Sequence, residues 1–461
     1  MERNDRRSYL IILGDVLLVP FAYAAAYLIR FGTLSRFREY FSPIFLLMMT
    51  ASYIVVFYLF DFYTVTKKTR VRTLAARIVL AVGVSAVLTS LLKYVFFLIP
   101  IGRGILILAN TLLVVLAFTW QKVGALLFRV MARPNSVLFV GGGNGVDEIV
   151  EILASDPQDY QILGVLAEEK PLPDAPADVS VARVIGSPRQ LGEFLASRAV
   201  KIIVLAETSG PSSLSAEGLL QAHLGPVEVI DVPEMYQRLK SRVPVDYIKD
   251  ESWFLRTKGF ALANNHLVGK IKRVFDIALG GAFFLVGLPL WPFIALLIKV
   301  ESRGPVFYGQ SRIGKNGIVF HLYKFRSMIE RAESDEPVWA GKTDRRVTRV
   351  GRVLRKLHLD ELPQLWNVLR GEMSLVGPRP ERPEFVTALK RDIPFYALRH
   401  FVKPGLTGWA QINYPYAAST KDSKEKLEYD LYYISRMNPV FDLKILVETL
   451  FGVYSGRHRD L

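Results

Sequence analysis

Asp360 and Glu361 form a carboxylate pair three residues ahead of Pro363, with Arg352, Arg355, Lys356 and Arg379 close in sequence. A carboxylate can act as a nucleophile in covalent catalysis and as an oxygen ligand for Mg2+. Guanidinium and ammonium groups hold phosphate oxygens. The chemistry that these types suit together is transfer at a charged phosphorus centre. The same residues also describe an Asp N-cap beside surface ion pairs. The element Val376-Gly377-Pro378-Arg379-Pro380 and the apolar segments upstream favour the phosphate reading.

Position must come from the surrounding elements. Proline lacks an N–H and is tolerated in the first turn of a helix. A helix is therefore expected to start at about Asp360, with Leu362, Leu365, Trp366 and Leu369 on one apolar stripe. The pair would then lie at a helix N-terminus, which favours ionised carboxylates. Arg312, Lys324, Arg326, Arg345, Arg346 and Arg349 add cations ahead of it. This concentration, with glycine-proline turns, fits handling of a diphosphate with Mg2+.

The chain has 461 residues, half of them hydrophobic, and a positive mean hydropathy of +0.25. Part of it belongs in a bilayer. It has no cysteine, which excludes disulfides and thiolate chemistry. Net charge is +15, and residues 1–133 hold 16 Lys and Arg against 5 Asp and Glu. The basic excess surrounds the apolar runs, which points to anionic lipid and no nucleic acid. Those runs are about Tyr9–Ile29, Ile44–Phe60, Ile78–Ile99 and Ile105–Phe128, each near the ~20 residues of a spanning helix. No cleavage site follows the first, so it is expected to stay as an uncleaved span. The flanking charge places both ends of this four-helix bundle, residues 1–133, in the cytoplasm. Lys93 and Lys122 within the runs are expected to be structural.

Residues 134–250 read as a Rossmann-like α/β domain. Ser136–Val140, Gln161–Leu166 and Lys201–Leu205 suggest strands, and Val146–Leu153 a helix. The turn Gly141-Gly142-Gly143-Asn144-Gly145 lacks the last glycine of the phosphate fingerprint, where Val146 stands. A fold kept for assembly or regulation is expected. Residues 251–269 read as a linker.

From Val274 to Ile298 the chain is apolar again, but Pro289 and Pro292 interrupt it. Lys270, Lys272 and Arg273 precede it, and Lys299 and Arg303 follow. Two basic flanks predict the same side of the membrane, hence a re-entrant hairpin over 272–299 with its break at Leu288-Pro289. Residues 270–461 then form a mainly α catalytic domain against the bilayer.

Four motifs occur in order: Tyr323-Lys324-Phe325-Arg326-Ser327-Met328, Leu359–Gln364, Gly371–Pro380, and Lys403-Pro404-Gly405-Leu406-Thr407-Gly408-Trp409-Ala410-Gln411. From about Lys270 to Phe451 the chain resembles the bacterial sugar transferases that are monotopic phosphoglycosyl transferases. The layout is similar to the long members that initiate exopolysaccharide or O-antigen synthesis at the bacterial inner membrane. The resemblance implies a UDP-sugar donor, undecaprenyl phosphate as acceptor and Mg2+ as cofactor. It implies a phosphosugar-enzyme on Asp360 and release of UMP. Glu361 matches the acid associated with Mg2+, while Lys324, Arg355 and Arg379 match cations of the active site. Arg326 and Arg352 are further phosphate-binding candidates, and a homodimer is expected. His358 departs from the Ser or Thr common in the family, and Leu288-Pro289 from a common Ser-Pro. Two rival readings are a glycosyl transferase that releases UDP and a non-catalytic membrane regulator of polysaccharide export.

Overall fold

The structure is a computed structural model that describes residues 2–63, 71–95, 102–131, 134–143, 145–155, 160–167, 184–197, 199–206, 220, 222, 224–225, 227–248, 251–257, 259–260, 265–329, 346–414 and 419–455. Asn144 and Arg345 lie outside these residues. The chain divides into two compact units, Met1–Ala132 and Arg133–Leu461.

The first unit is helical: Glu2–Phe31, Pro43–Leu59, Val71–Val95 and Arg103–Met131. Three of these helices contain stretches long and apolar enough to span a membrane, Tyr9–Phe31, Thr73–Tyr94 and Arg103–Gly124. The second expected run is a shorter apolar helix of 17 residues, at the lower end of spanning lengths. Leucines and valines line the outside of the unit, while Tyr23, Tyr53 and Asn110 form a hydrogen-bonded knot inside. Lys93 is buried over the rings of Phe41 and Phe45, which gives it the structural role expected of it.

The second unit begins with a parallel sheet in the order β3-β2-β1-β4-β5. Its strands are β1 Asn135–Val140, β2 Tyr160–Leu166, β3 Val184–Gly186, β4 Ile202–Leu205 and β5 Glu228–Asp231. Both faces of β1 are buried. Val137 and Phe139 pack beneath the helices Val146–Ser155 and Val232–Lys240. Leu138 and Val140 pack on the other face with Leu191 and Phe194 of helix Leu191–Ser197. That double burial is why β1 reads as a continuous apolar run.

Residues 241–248, 251–257 and 259–260 continue into the core of the C-terminal part. Val243, Val245, Trp253 and Phe254 are buried there with Leu427, Leu431 and Tyr396. Trp253 and Phe254 belong to the stretch read as a linker. Trp253 also donates its indole N–H to Asp231 at the end of β5, at 2.8 Å. Arg242 pairs with Glu425 at 3.0 Å and Glu428 at 3.4 Å, both on the helix Thr420–Arg436.

The apolar segment forms the helix His266–Gly287, a 3-10 turn Leu288–Leu290 and the helix Trp291–Glu301. The break falls at the prolines because Pro289 and Pro292 each sit in the first turn of a new element, where a missing N–H costs least. Leu285, Val286, Leu288, Leu290, Phe293 and Leu296 are exposed around it, and His266–Glu301 is the fourth segment of spanning length and hydropathy.

Two of the basic flanking residues are engaged within the protein. Lys272 is buried and pairs with Asp442 at 2.5 Å. Arg273 caps the carbonyls of Val368 and Leu369 at 2.6 Å each. Asp276, one turn on, accepts from Ser374 Oγ and the Leu375 N–H at 2.9 Å. The far end is fixed as well. Glu301 accepts from the N–H groups of Arg349 and Val350, and Arg326 donates to the carbonyls of Ser302 and Arg303. Both ends of the broken helix are therefore tied to one globular body.

Candidate active site

Lys324 lies on β7 (Val319–Phe325), which pairs antiparallel with β6 (Phe307–Ile313). Its Nζ is 2.8 Å from Glu361 Oε1. Arg379 Nη2 reaches the same oxygen at 3.0 Å. These contacts join three of the four sequence motifs at one point.

The carboxylate pair sits on a 3-10 turn, Leu359–Glu361, and the α-helix starts only at Gln364, with Pro363 as its N-cap. The expected helix start at Asp360 is thus displaced by one turn. The reason is His358, whose φ of +54° reverses the chain just after the helix Arg349–Lys356. The positive field at the pair comes from side chains rather than from a helix dipole.

The two carboxylates differ. Burial would push Glu361 up, but Lys324 and Arg379 outweigh it and hold the group well below the usual carboxylate range. Asp360 is buried, and among the described residues none hydrogen-bonds or ion-pairs with its carboxylate. Burial pushes its pKa up; Lys324 opposes this, Glu361 adds to it, and Arg355 and His358 also oppose it. Glu361 is clamped, and Asp360 keeps its lone pairs.

The other cations divide. Arg355 donates from Nε to Ser327 Oγ at 2.8 Å and contributes to the field at Asp360. Its helix lies directly on Ser327, because a Cβ on Gly351 would be 2.0 Å from the Ser327 carbonyl oxygen. Arg326 is buried and turned away, bracing Ser302 and Arg303 at the end of the broken helix. Arg352 is exposed, and its guanidinium has no hydrogen-bond or ion-pair partner among the described residues. Leu288 and Pro289 form the break, not the site.

The segment of Arg379 is positioned by Arg399, which sequence reasoning missed, and by Arg312, which it counted among the phosphate cations. Arg399, buried, donates to the Arg379 carbonyl at 2.9 Å and pairs with Asp430 at 2.8 Å. Arg312 donates to the Pro380 carbonyl at 3.0 Å. The third and fourth motifs touch backbone to backbone, through β8 (Ser374–Val376) and β9 (Gly405–Thr407). Gly377 N donates to Thr407 O, and Gly405 N to Pro378 O, each at 2.9 Å. A Cβ on Gly405 would lie 2.1 Å from Gly377 N, and one on Gly408 2.2 Å from Gly377 O. The available signal was the presence of glycines in both motifs, which permits such an approach.

Among the described residues no three His, Cys, Asp or Glu side chains cluster as a metal cage. Mg2+ commonly binds through one or two carboxylates together with substrate phosphates, and the Asp360–Glu361 pair fits that kind of site. Beside it lies an apolar cavity of about 370 Å³ lined by Phe284, Trp291, Phe307, Tyr323, Pro363 and Trp366.

Residues 267–456 match the family model described as bacterial sugar transferase. The chain is 40% identical over 238 residues to a UDP-N-acetylgalactosamine-undecaprenyl-phosphate N-acetylgalactosaminephosphotransferase of Aeromonas hydrophila, covering 52% of this chain and 55% of that protein. It is 45% identical over 183 residues to a UDP-glucose:undecaprenyl-phosphate glucose-1-phosphate transferase of Escherichia coli (strain K12), 39% of each chain. It is 39% identical over 186 residues to the exopolysaccharide production protein PSS of Rhizobium leguminosarum bv. phaseoli, covering 39% of this chain and 93% of that protein. The chain spans about half the length, or less, of the first two.

Proposed function

The chain belongs to the bacterial sugar transferase family, and from that premise we propose that it moves a sugar-1-phosphate from a UDP-sugar to undecaprenyl phosphate. The observation that carries this is the contrast within the pair: Glu361 bound by two cations, and Asp360 buried beside it with no hydrogen-bond or ion-pair partner for its carboxylate among the described residues. An Asp360 oxygen attacks the β-phosphorus of the UDP-sugar, the bond to the bridging oxygen breaks, and UMP leaves. An oxygen of the lipid phosphate then attacks the same phosphorus and Asp360 departs, giving the lipid diphosphosugar. Splitting the transfer in two avoids direct attack of one anion on another within a single step. Lys324 and Arg379 hold Glu361 and present positive charge to the phosphates, and Arg355 adds to the field at Asp360. Mg2+, held by Asp360 and Glu361 with the phosphates, would neutralise charge on the diphosphate.

The same reading extends to topology and assembly. The apolar helix pair enters and leaves the membrane on the cytoplasmic face, where the catalytic part and both termini lie. Its two ends are tied to one body by Lys272, Asp276, Glu301 and Arg326, which supports re-entry independently of charge. A cysteine placed at Gly304 would then resist an impermeant reagent added outside cells. The strand order of the parallel sheet supports a Rossmann-like domain, serving assembly, with the chain a homodimer at the bacterial inner membrane. A mass measurement in detergent giving one copy would refute the dimer. The reaction would be the first membrane step of exopolysaccharide or O-antigen synthesis, a reading supported by the similarity to an exopolysaccharide production protein.

The deciding experiment incubates the purified full chain with a UDP-sugar, with and without undecaprenyl phosphate. UMP release, and a phosphosugar adduct on the Asp360 peptide when lipid is withheld, are expected, both suppressed by a chelator. Release of UDP would give the glycosyl transferase reading instead, and no product with any UDP-sugar the regulator.

A further inference from the structure

The cavity beside the carboxylate pair has two rims of different chemistry. Tyr323 and Pro363 make one; Tyr323 directly precedes Lys324 on β7, and Pro363 follows Glu361 by two residues. Phe284 and Trp291 make the other, on either side of the 3-10 break, among the exposed Leu285, Val286, Leu288 and Leu290. The rings form a continuous wall. Trp366 and Phe284 are 6.1 Å apart, Phe284 and Trp291 5.3 Å, and Trp291 and Phe307 5.7 Å between centroids. Gly287 brings the break against Leu362, two residues after Asp360.

Among the described residues the lining contains no charged one, and its six members are five aromatics and a proline. A sugar ring or a uracil placed here would leave most of its donors and acceptors unpaired, which is costly in an apolar setting. A branched hydrocarbon loses nothing there. We infer that this cavity receives the first isoprene units of the polyprenyl phosphate acceptor, next to its phosphate, with the rest of the chain running out along the exposed apolar surface of the broken helix. This rests on the reaction proposed above, and it assigns the place of the acceptor within it. The phosphate end would then lie towards Lys324, Glu361 and Asp360, which stand one to three positions from the lining residues Tyr323 and Pro363, and the hydrocarbon end at the exposed apolar residues of the break. The aromatic wall would select unsaturated, branched lipid over straight acyl chains, because ring faces pack against the flat double-bonded units.

The test uses the full chain in phospholipid nanodiscs and a polyprenyl phosphate that carries a photoreactive diazirine on its first isoprene unit. Irradiation is expected to label the peptides that contain Phe284, Trp291 and Trp366. Undecaprenyl phosphate should block the labelling; a UDP-sugar, inorganic phosphate and excess phosphatidylglycerol should not. Label spread evenly over the broken helix, or blocked by phosphatidylglycerol, would make the cavity a general lipid contact and overturn the inference. Block by the UDP-sugar would assign it to the donor and overturn it equally. A second arm uses Trp366→Leu, a partly exposed position. The KM for undecaprenyl phosphate should rise roughly tenfold or more while the KM for the UDP-sugar changes less. Equal changes in both, or none, would count against the cavity. Labelling needs no turnover, so specific label in a chain that makes no product would sink the proposed reaction and leave the isoprenoid site standing.

Discussion

The glycine turn after β1 and the glycines between Val376 and Gly408 both suggest, in sequence, loops that approach phosphate. In the first, Gly141, Gly143 and Gly145 have φ of 91°, 137° and 95°, so glycine serves conformation. The space behind Gly145 is filled by the protein's own Val232 and Tyr247, 3.0 to 3.1 Å from where a Cβ would be. In the second, Gly405 and Gly408 serve proximity: two backbone segments meet where a side chain would strike N or O at just over 2 Å. That contact fixes the segment that leads to Arg379, and so the clamp on Glu361. What a glycine is for is decided by what its missing side chain would touch.

The comparison can be broken from either side. The largest effect is expected at the site that the second group of glycines serves: Asp360→Asn should lower turnover by at least about 10³-fold, with an unchanged melting temperature and no phosphosugar adduct. Residual turnover near the parent rate would remove Asp360 as nucleophile. Next, Gly408→Ala should lower stability by about 1–3 kcal/mol or more and weaken Arg379-dependent activity, because its Cβ meets backbone. Gly142→Ala, with nothing within 4 Å, should change stability by less than about 0.5 kcal/mol. Similar melting curves for the two variants would erase the distinction.

A smaller effect concerns the joint between the two regions. Burial raises Glu428 from 4.5 to about 7, against the opposing pull of Arg242. A carboxyl raised on folding binds its proton more tightly in the folded state. Its contribution is therefore full below pH 4.5 and is lost as the pH rises to about 7. Glu428→Gln should flatten the fall in melting temperature across that window; an unchanged slope would show that Glu428 titrates normally. The smallest effect is at His358, whose φ of +54° is a conformation glycine adopts freely. His358→Gly should be nearly neutral and His358→Val should cost about 1–2 kcal/mol, read by denaturant unfolding. Loss of activity in His358→Gly, with stability kept, would give the imidazole a chemical role.

Much of the local structure was legible because each segment's pattern and burial agree. The apolar runs Ser136–Val140, Gln161–Leu166 and Lys201–Leu205 are strands within a residue or so of their expected ends. Pro289 and Pro292 placed the break, since proline removes a donor wherever it stands. The short strands β3 and β5 were not read, having too few residues for a period to show. The partners of Lys272 and Arg273 were not legible either, for a different reason. A cation before an apolar helix looks the same whether it meets lipid or a buried Asp442, and only packing tells which.

By itself the sequence determined the inventory: four apolar N-terminal runs, a parallel α/β segment, a proline-broken helix, and Asp360-Glu361 among cations in four ordered motifs. Tertiary structure alone decided the assignments within that inventory. It put Lys324 and Arg379 on one oxygen of Glu361, left the buried Asp360 carboxylate with no hydrogen-bond or ion-pair partner among the described residues, sent Arg326 to the end of the broken helix and brought Arg399 under Arg379. The physical reason is that residue type fixes which contacts a side chain can make. Which of them it does make depends on neighbours tens of residues away, such as Glu361 for Lys324 and Asp430 for Arg399.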